Sequence, residues 1–471
     1  MHLLFSAAFA VVVTTGAEFQ SACENASIGE VIEIDNSNGR LARNCMLTVR
    51  DVTVRPVEGQ EWAEVTSITL GEGADGARLE QIDVSHGAST WLVFSSADRV
   101  EVDGLRVVDT QSQGFTIAGG SATVTGLEAS GNTYAAAAIY TDSIGEIELT
   151  LRDSVIQDGR IGAFFGCEVG CEATVVVENV TFQELGEFDE DGSYRIGGAI
   201  QIHQYANVTV TDSTFIGNFA DFGGAIGAMT GGYDLDVLNS TFVDNVAQGG
   251  GAIYGREGGD IEVYDSHFCA NEAYENGSSI KAYEATDTIL SRVSIQGDVA
   301  QTAPITLEGG THTLEHLSLV NNAGYFAIEM VDGALVTLDR SLFYANEGTV
   351  SAAYEGGHNA FLSNDPPGPE TELGDVMEGD VGFTDPYDWN DCEHKPYIGE
   401  DSALVGKGQE GTQDPDGTTP ADIGAWWAGA GTNDGGSATF SRKNWLTGGC
   451  ANGSAAGLVL LLLVRRREST G

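Results

Sequence analysis

Apolar and polar residues alternate over short runs in the middle of the chain: Val208-Thr-Val210-Thr, Leu235-Asp-Val237 and Ile261-Glu-Val263-Tyr. A period of two puts every second side chain on one face, as a half-buried strand requires. Five positions after the second apolar residue of each run stands a phenylalanine: Phe215, Phe242 or Phe268. The same offset joins Val177 to Phe182, Leu290 to Ile295, Leu314 to Leu319 and Leu338 to Phe343. The i, i+3, i+4 spacing of a helical repeat is missing here. Phe215 to Phe242 is 27 residues and Phe242 to Phe268 is 26. Self-similarity at such a period means stacked units.

Each phenylalanine lies in a recurring phrase. It reads Asp212-Ser-Thr-Phe215-Ile-Gly-Asn218, then Asn239-Ser-Thr-Phe242-Val-Asp-Asn245, then Asp265-Ser-His-Phe268-Cys-Ala-Asn271, with a worn copy at Arg340-Ser-Leu-Phe343-Tyr-Ala-Asn346. Between copies a second phrase, Gly-Gly-Ala-Ile, occupies 197–200, 223–226 and 250–253. Strand, turn and strand repeated every 22 to 28 residues predict an all-β fold, a right-handed parallel β-helix. Its coils lie about 4.8 Å apart and its matching side chains form ladders. Asn218, Asn245, Asn271, Asn322 and Asn346 are expected to form one such ladder. Asn tolerates left-handed backbone at a bend, and stacked amides hydrogen-bond from coil to coil. The Gly-Gly pairs are expected at tight corners. No helix follows them, so they are no phosphate loop. Weaker coils extend upstream through Val155, Leu127, Leu105 and Ile82, for eleven or twelve coils in all.

The pairing of Gly-Gly-Ala-Ile with Phe-x-x-Asn resembles the repeats of polymorphic outer-membrane proteins and related bacterial right-handed β-helix proteins of pectin-lyase-like fold. The resemblance covers about the middle third of the chain. Unlike those outer-membrane proteins, this sequence shows no long C-terminal run of alternating strands for a membrane barrel.

The sequence divides into a secretory signal peptide at 1–17, an N-terminal cap at 18–64, the β-helix at 65–364, a C-terminal cap segment at 365–430, a flexible tether at 431–447 and a sorting or anchor signal at 448–471. The leader rests on the apolar run Leu3–Val13 followed by small Thr15 and Ala17. At the other end, Cys450, the apolar run Ala455–Val464 and Arg465-Arg-Arg467 arrive in that order. Ten apolar residues fall short of the roughly 20 that a permanent spanning helix needs. This tail resembles the Cys-containing sorting tag of myxobacterial surface proteins, which implies attachment at the outer surface after processing near Cys450. Contact with a membrane is expected only through that signal.

Seven cysteines in an exported chain imply oxidised pairs and one spare. The candidate pairs are Cys23 with Cys45, Cys167 with Cys171, and Cys269 with Cys392.

Net charge changes the picture of partners. With 70 acidic residues against 21 basic, it stands at -49. Such a surface repels nucleic acid and anionic lipid, and it attracts divalent cations and cationic polymers. Asp414, Asp416 and Asp422 are the candidate Ca²⁺ ligands, because alternating Asp before a Gly brings carboxylates together on that ion. No other cofactor is expected.

Pectate lyases and polygalacturonases have this fold, so a polysaccharide-cleaving enzyme must be weighed. The Asn-x-Asp, Asp-Asp, Gly-His-Gly and Arg-x-Lys set of the hydrolases does not occur in the sequence. The long coil from Phe182 to Phe215 carries the best catalytic constellation, Asp189, Asp191, Arg195 and His203. A solvated acidic loop with one paired Arg is the preferred account of it. The few cations of the coils, among them Arg256 and Lys281, follow no common offset. The sequence therefore reads as a secreted, surface-attached β-helix acting without catalysis in adhesion, matrix contact or display. Polysaccharides or surface and matrix components are its expected partners. The second reading is a polysaccharide lyase, glycoside hydrolase or carbohydrate-binding module.

Overall fold

The computed structural model describes residues 10–86, 91–132, 137–141, 145–167, 171–186, 195–284 and 286–364, with 381, 383, 392, 402–405, 407 and 423–424 beyond them. All lie in one compact unit, Met1–Ala430, with Gly431–Gly471 forming a second.

Nearly every strand runs parallel to its counterpart one coil away. The alternating runs stack on a first face, where Val208 lies beside Leu235, Leu235 beside Ile261 and Val210 beside Val237. The phenylalanine strands stack on a second face, Thr214–Ile216 on Thr241–Val243 on His267–Cys269. The strands after each Gly-Gly pair make a third face. There, eleven consecutive parallel pairings join twelve strands from Leu41–Leu47 to Ile328–Val331. A small three-stranded sheet (Val246–Gly249, Glu272–Asn276, Val299–Ala300) lies between the second and third faces.

The recurring phrase now has a residue-by-residue account. Its first residue takes left-handed backbone and turns the first face into the second: φ is 52° at Asp212, 46° at Asn239 and 51° at Asp265. The serine that follows is buried. Its Oγ donates to the carbonyl two residues back and accepts the N–H of the preceding coil, as in Ser240 with Leu238 and Ser213. Phenylalanine points inward. Phe182, Phe215, Phe242 and Phe268 stand in single file, ring centroids 5.0, 4.7 and 4.6 Å apart and planes within 5° of parallel. All four are fully buried. Truncating one to Ala would cost about 3–5 kcal/mol.

The asparagines depart from expectation. The left-handed residue is the one before each of them, Gly217, Asp244, Ala270, Asn321 and Ala345. The asparagines themselves are buried. Asn245 Nδ2 donates to the carbonyl of Phe215 in the coil before and to Asn271 Oδ1 in the coil after. That same Oδ1 also accepts the Asn245 backbone N–H. Asn218, Asn322 and Asn346 repeat this pattern. They satisfy backbone groups that a corner would otherwise bury unpaired. Asn364 continues the file, and Asp298 fills the place between Asn271 and Asn322.

The upstream register also differs. Leu105 aligns with Ile82 and Leu127, but two positions before the phenylalanine file, which passes through Val107, Ala129 and Ile156. Val155 points outward beside Thr181. The adjacent apolar pair Val155-Ile156 permits a one-residue slip, and in a strand such a slip exchanges the two faces.

The second glycine of each Gly-Gly pair meets the coil above. A Cβ on Gly224 would lie 2.3 Å from the Gly251 carbonyl oxygen, so no side chain fits. The first adopts positive φ, 65° at Gly223 and 66° at Gly250.

The stack starts below residue 65. Ala10–Val13 pairs with Val31–Ile34, and that strand with Thr53–Pro56, so the expected cap is itself coiled. Helix α1 (Gly16–Glu24), the only helix among the described residues, is started by a capping box in which Thr15 and Glu18 bond each other's backbone. It buries Phe19 and Cys23, and Cys23 is joined to Cys45. The expected leader thus contributes, from Ala10 onward, a strand and the start of α1.

At the other end, Val381, Phe383, Leu404, Val405 and Ile423 pack against Leu342, Tyr344, Ala360 and Leu362. These flank the inward Phe343 and Phe361 and therefore face outward. The C-terminal segment lies along the side of the last coils, and Cys269–Cys392 ties it further down.

Asp298 yields a prediction. Burial raises its carboxyl to about 7, opposed by hydrogen bonds from Ser279 and Asn271. A folded-state pKa above the unfolded value means that stability falls as pH rises from about 4 to about 7. Asp298→Asn restores the ladder amide. It should stabilise the protein at pH 8 by a few kcal/mol more than at pH 4, measured by denaturant unfolding of variant and parent. Taking the difference removes His316, whose pKa burial lowers to about 4 and which tilts stability the other way. Equal stabilisation at both pH values would show that Asp298 is charged throughout.

Candidate functional site

The outer side of the third face carries a cluster of aromatic and cationic groups that borders a cleft. The strands that border it open on a buried Ile, so the next residue points outward. After Ile226, Ile253 and Ile280 these are Gly227, Tyr254 and Lys281, aligned in register. Two positions on, Arg256 aligns with Tyr283. A cleft of about 530 Å³ opens among Ile196, Phe222, Met229, Tyr254, Arg256, Glu275, Lys281 and Tyr283.

Lys281 is 7% exposed. Its ammonium sits over three rings, 5.3 Å from the Tyr283 centroid and 5.9 Å from those of Phe222 and Tyr254. Gly249 makes room for it, since a Cβ there would lie 3.2 Å from Nζ. Among the described residues Lys281 has no hydrogen bond and no ion pair. Burial lowers its pKa, and Glu275, Glu308 and Glu329 act at longer range in the opposite sense. Arg256 differs, being held by Glu284 at 2.9 Å and Glu257 at 3.3 Å. Phe222 and Tyr254 lie 4.9 Å apart, tilted by 33°. The cleft thus presents ring surface, a carboxylate and a partly dehydrated ammonium.

Of the sequence candidates, Arg195 lies at its margin. Arg195 precedes Ile196, a wall of the cleft, and its backbone N–H donates to Asp221 Oδ2 at 2.8 Å. Asp221 Oδ1 accepts from Gln248, so this carboxylate joins neighbouring coils. His203 lies against Phe164 with centroids 4.7 Å apart and contacts Gln201 through Nε2. Burial lowers its pKa. Asp189 and Asp191 are outside the described residues, as are Asp414, Asp416, Asp422 and Cys450. Among the described residues no group of three or more His, Cys, Asp or Glu is placed to hold a metal ion. Cys167 and Cys171 are joined to each other.

The first face is different in character. Asp234, Asp260 and Asp287 align in successive coils, as do Asp236 and Glu262. Burial and then mutual repulsion raise the pKa of Asp236 and Asp260.

With this geometry in hand, comparison with known proteins supplies the class. Residues 67–295 match the family model described as right handed beta helix region. That match and the stacked parallel coils make this a right-handed β-helix repeat protein. No curated protein matches the chain significantly.

Like charges stacked one coil apart should oppose folding, and salt should screen them. Asp260→Asn is expected to raise Tm at pH 7 in low salt, and the gain should shrink at about 0.5 M NaCl, where screening extends over only a few ångströms. A gain independent of salt would locate its cause outside this repulsion.

Proposed function

We propose that the protein is an exported, surface-held shaft that works by contact, in adhesion or attachment to matrix, without transforming what it touches. The observation that carries this reading is the continuous stack from Val31 to Asn364, its corners sealed by buried side-chain ladders. A solenoid of this kind gains length by adding coils and keeps the same cross-section. Its acidic exterior suits an exposed protein that must stay soluble and avoid self-association. The leader and the Cys450 tail supply the route to the surface, with processing near Ala17 and near Cys450.

The second reading, a carbohydrate-active enzyme or carbohydrate-binding module, draws on the third-face cleft. Aromatic faces and a few polar groups converge there, as ligand sites do. Lys281, with its lowered proton affinity, would be its base.

Two measurements test these readings. Beads coated with the protein are expected to adhere to polysaccharide or matrix surfaces, and a polysaccharide panel with or without Ca²⁺ should yield no new reducing or unsaturated ends. Turnover abolished by Lys281→Met would replace the contact reading with the enzymatic one. Intact mass of the exported protein is expected to begin near Glu18 and end near Cys450; a mature chain retaining Met1 and Gly471 would contradict the route.

A further inference from the structure

We infer that the third-face cleft is a binding site for a single acidic sugar carried on an otherwise neutral glycan. The assignment rests on the contact reading above and names what one part of the shaft touches.

Lys281 requires explanation first. Dehydrating an ammonium without a counter-charge is costly, and side chains that do so generally neutralise or find a partner. Here the whole side chain is 7% exposed and its ammonium lies over three aromatic rings, with no ion pair among the described residues and with Glu275, Glu308 and Glu329 acting only from farther off. Cation–π attraction offsets part of the cost. What remains favours an anion entering from the cleft, where the attraction acts through little water. Gly249 supports the same view. Its backbone is not left-handed, so the position does not demand glycine for its conformation. The missing Cβ leaves Lys281 its room, since one placed there would lie 3.2 Å from Cδ and Nζ.

The other groups decide what carries the anion. Tyr283, half-buried at the cleft, offers ring surface of the sort that the C–H face of a pyranose covers. Glu275 offers acceptors for hydroxyl donors, and the Tyr254 and Tyr283 hydroxyls can donate and accept. An acidic peptide would satisfy Lys281, but it would bring carboxylates to Glu275 and hydroxyl-poor surface to the tyrosines. A sugar with one carboxylate satisfies all three kinds of group. The volume, about 530 Å³, lies in the range of small-molecule sites.

The charge of the whole chain limits the ligand further. At -49, with aligned acids on the first face, the shaft repels a uniformly charged polyanion along its length. One acidic unit flanked by neutral sugars escapes that repulsion while keeping the local attraction to Lys281.

The test is calorimetric titration of the full chain with a disaccharide of glucuronate linked to a neutral hexose, against the neutral disaccharide and tri-glutamate. The glucuronate disaccharide should bind at least tenfold more tightly than either. Lys281→Met, which removes the charge, should lower its affinity at least tenfold. Gly249→Ala, which shifts the ammonium by a few tenths of an ångström without straining the backbone, should weaken binding less than Lys281→Met does. Unchanged thermal melting in both variants separates loss of the site from loss of the fold. The inference is overturned by equal binding of charged and neutral sugars, by tighter binding of tri-glutamate, by full binding to Lys281→Met, or by no binding at all. Because the probe is a small soluble saccharide, its failure leaves the adhesion experiment to stand on its own result.

Discussion

Backbone groups at the corners of a coil have no partners within the coil, and the corners are dry. Everything else in the molecule depends on how that problem is solved. Here the buried asparagine file solves it. Each amide bonds backwards to a carbonyl and forwards to the next amide, whose oxygen also accepts its backbone N–H. The serine file does the same at the preceding corner. Both work only if successive coils are in register, so they fix the pitch. Phenylalanine stacking and the inward Ile and Val files then fill an interior whose spacing is already set. The polar ladders supply specificity, and the apolar files supply most of the driving force.

A shaft built this way has consequences for function. Inward positions are committed to packing and corners to hydrogen bonding, which leaves outward positions free to vary. The first face spends that freedom on aligned carboxylates, the third on rings and a lysine. At two outward or flanking positions glycine lets a cleft wall come close: Ile196 lies against Gly227, and Lys281 lies beside Gly249. The last coils take a third course. Their outward residues are apolar and are covered by the C-terminal segment, which Cys269–Cys392 holds in place.

Much of the fold was legible in the sequence because a ladder repeats its residue type once per coil. The phenylalanine file and the Gly-Gly corners were read directly from such repetition. What escaped were positions where physics is kept and identity is not. Asp298 continues the asparagine file as an acid, and the coil that holds it carries Ser279 where others carry Ala, the two side chains bonded to one another. In the upstream coils Val155-Ile156 offers two apolar residues for one inward place, so spacing alone chose the wrong one. The site was harder still. Arg256 and Lys281 follow no common offset because they occupy different outward rows. Counting one position beyond each Ile of the third face would have found Tyr254 and Lys281. Nothing in the sequence announces the cleft they border, since it depends on how side chains from several coils meet.

Hydrogen exchange of Asn245→Ala read by mass spectrometry tests the ladder most directly. If the amides couple each coil to the next, exchange should accelerate in the coils around Asn218 and Asn271 on either side of the change. It should stay at the parent rate around Leu105 and Leu127, many coils away. Exchange unchanged in both neighbouring coils, or raised equally along the whole stack, would contradict the account.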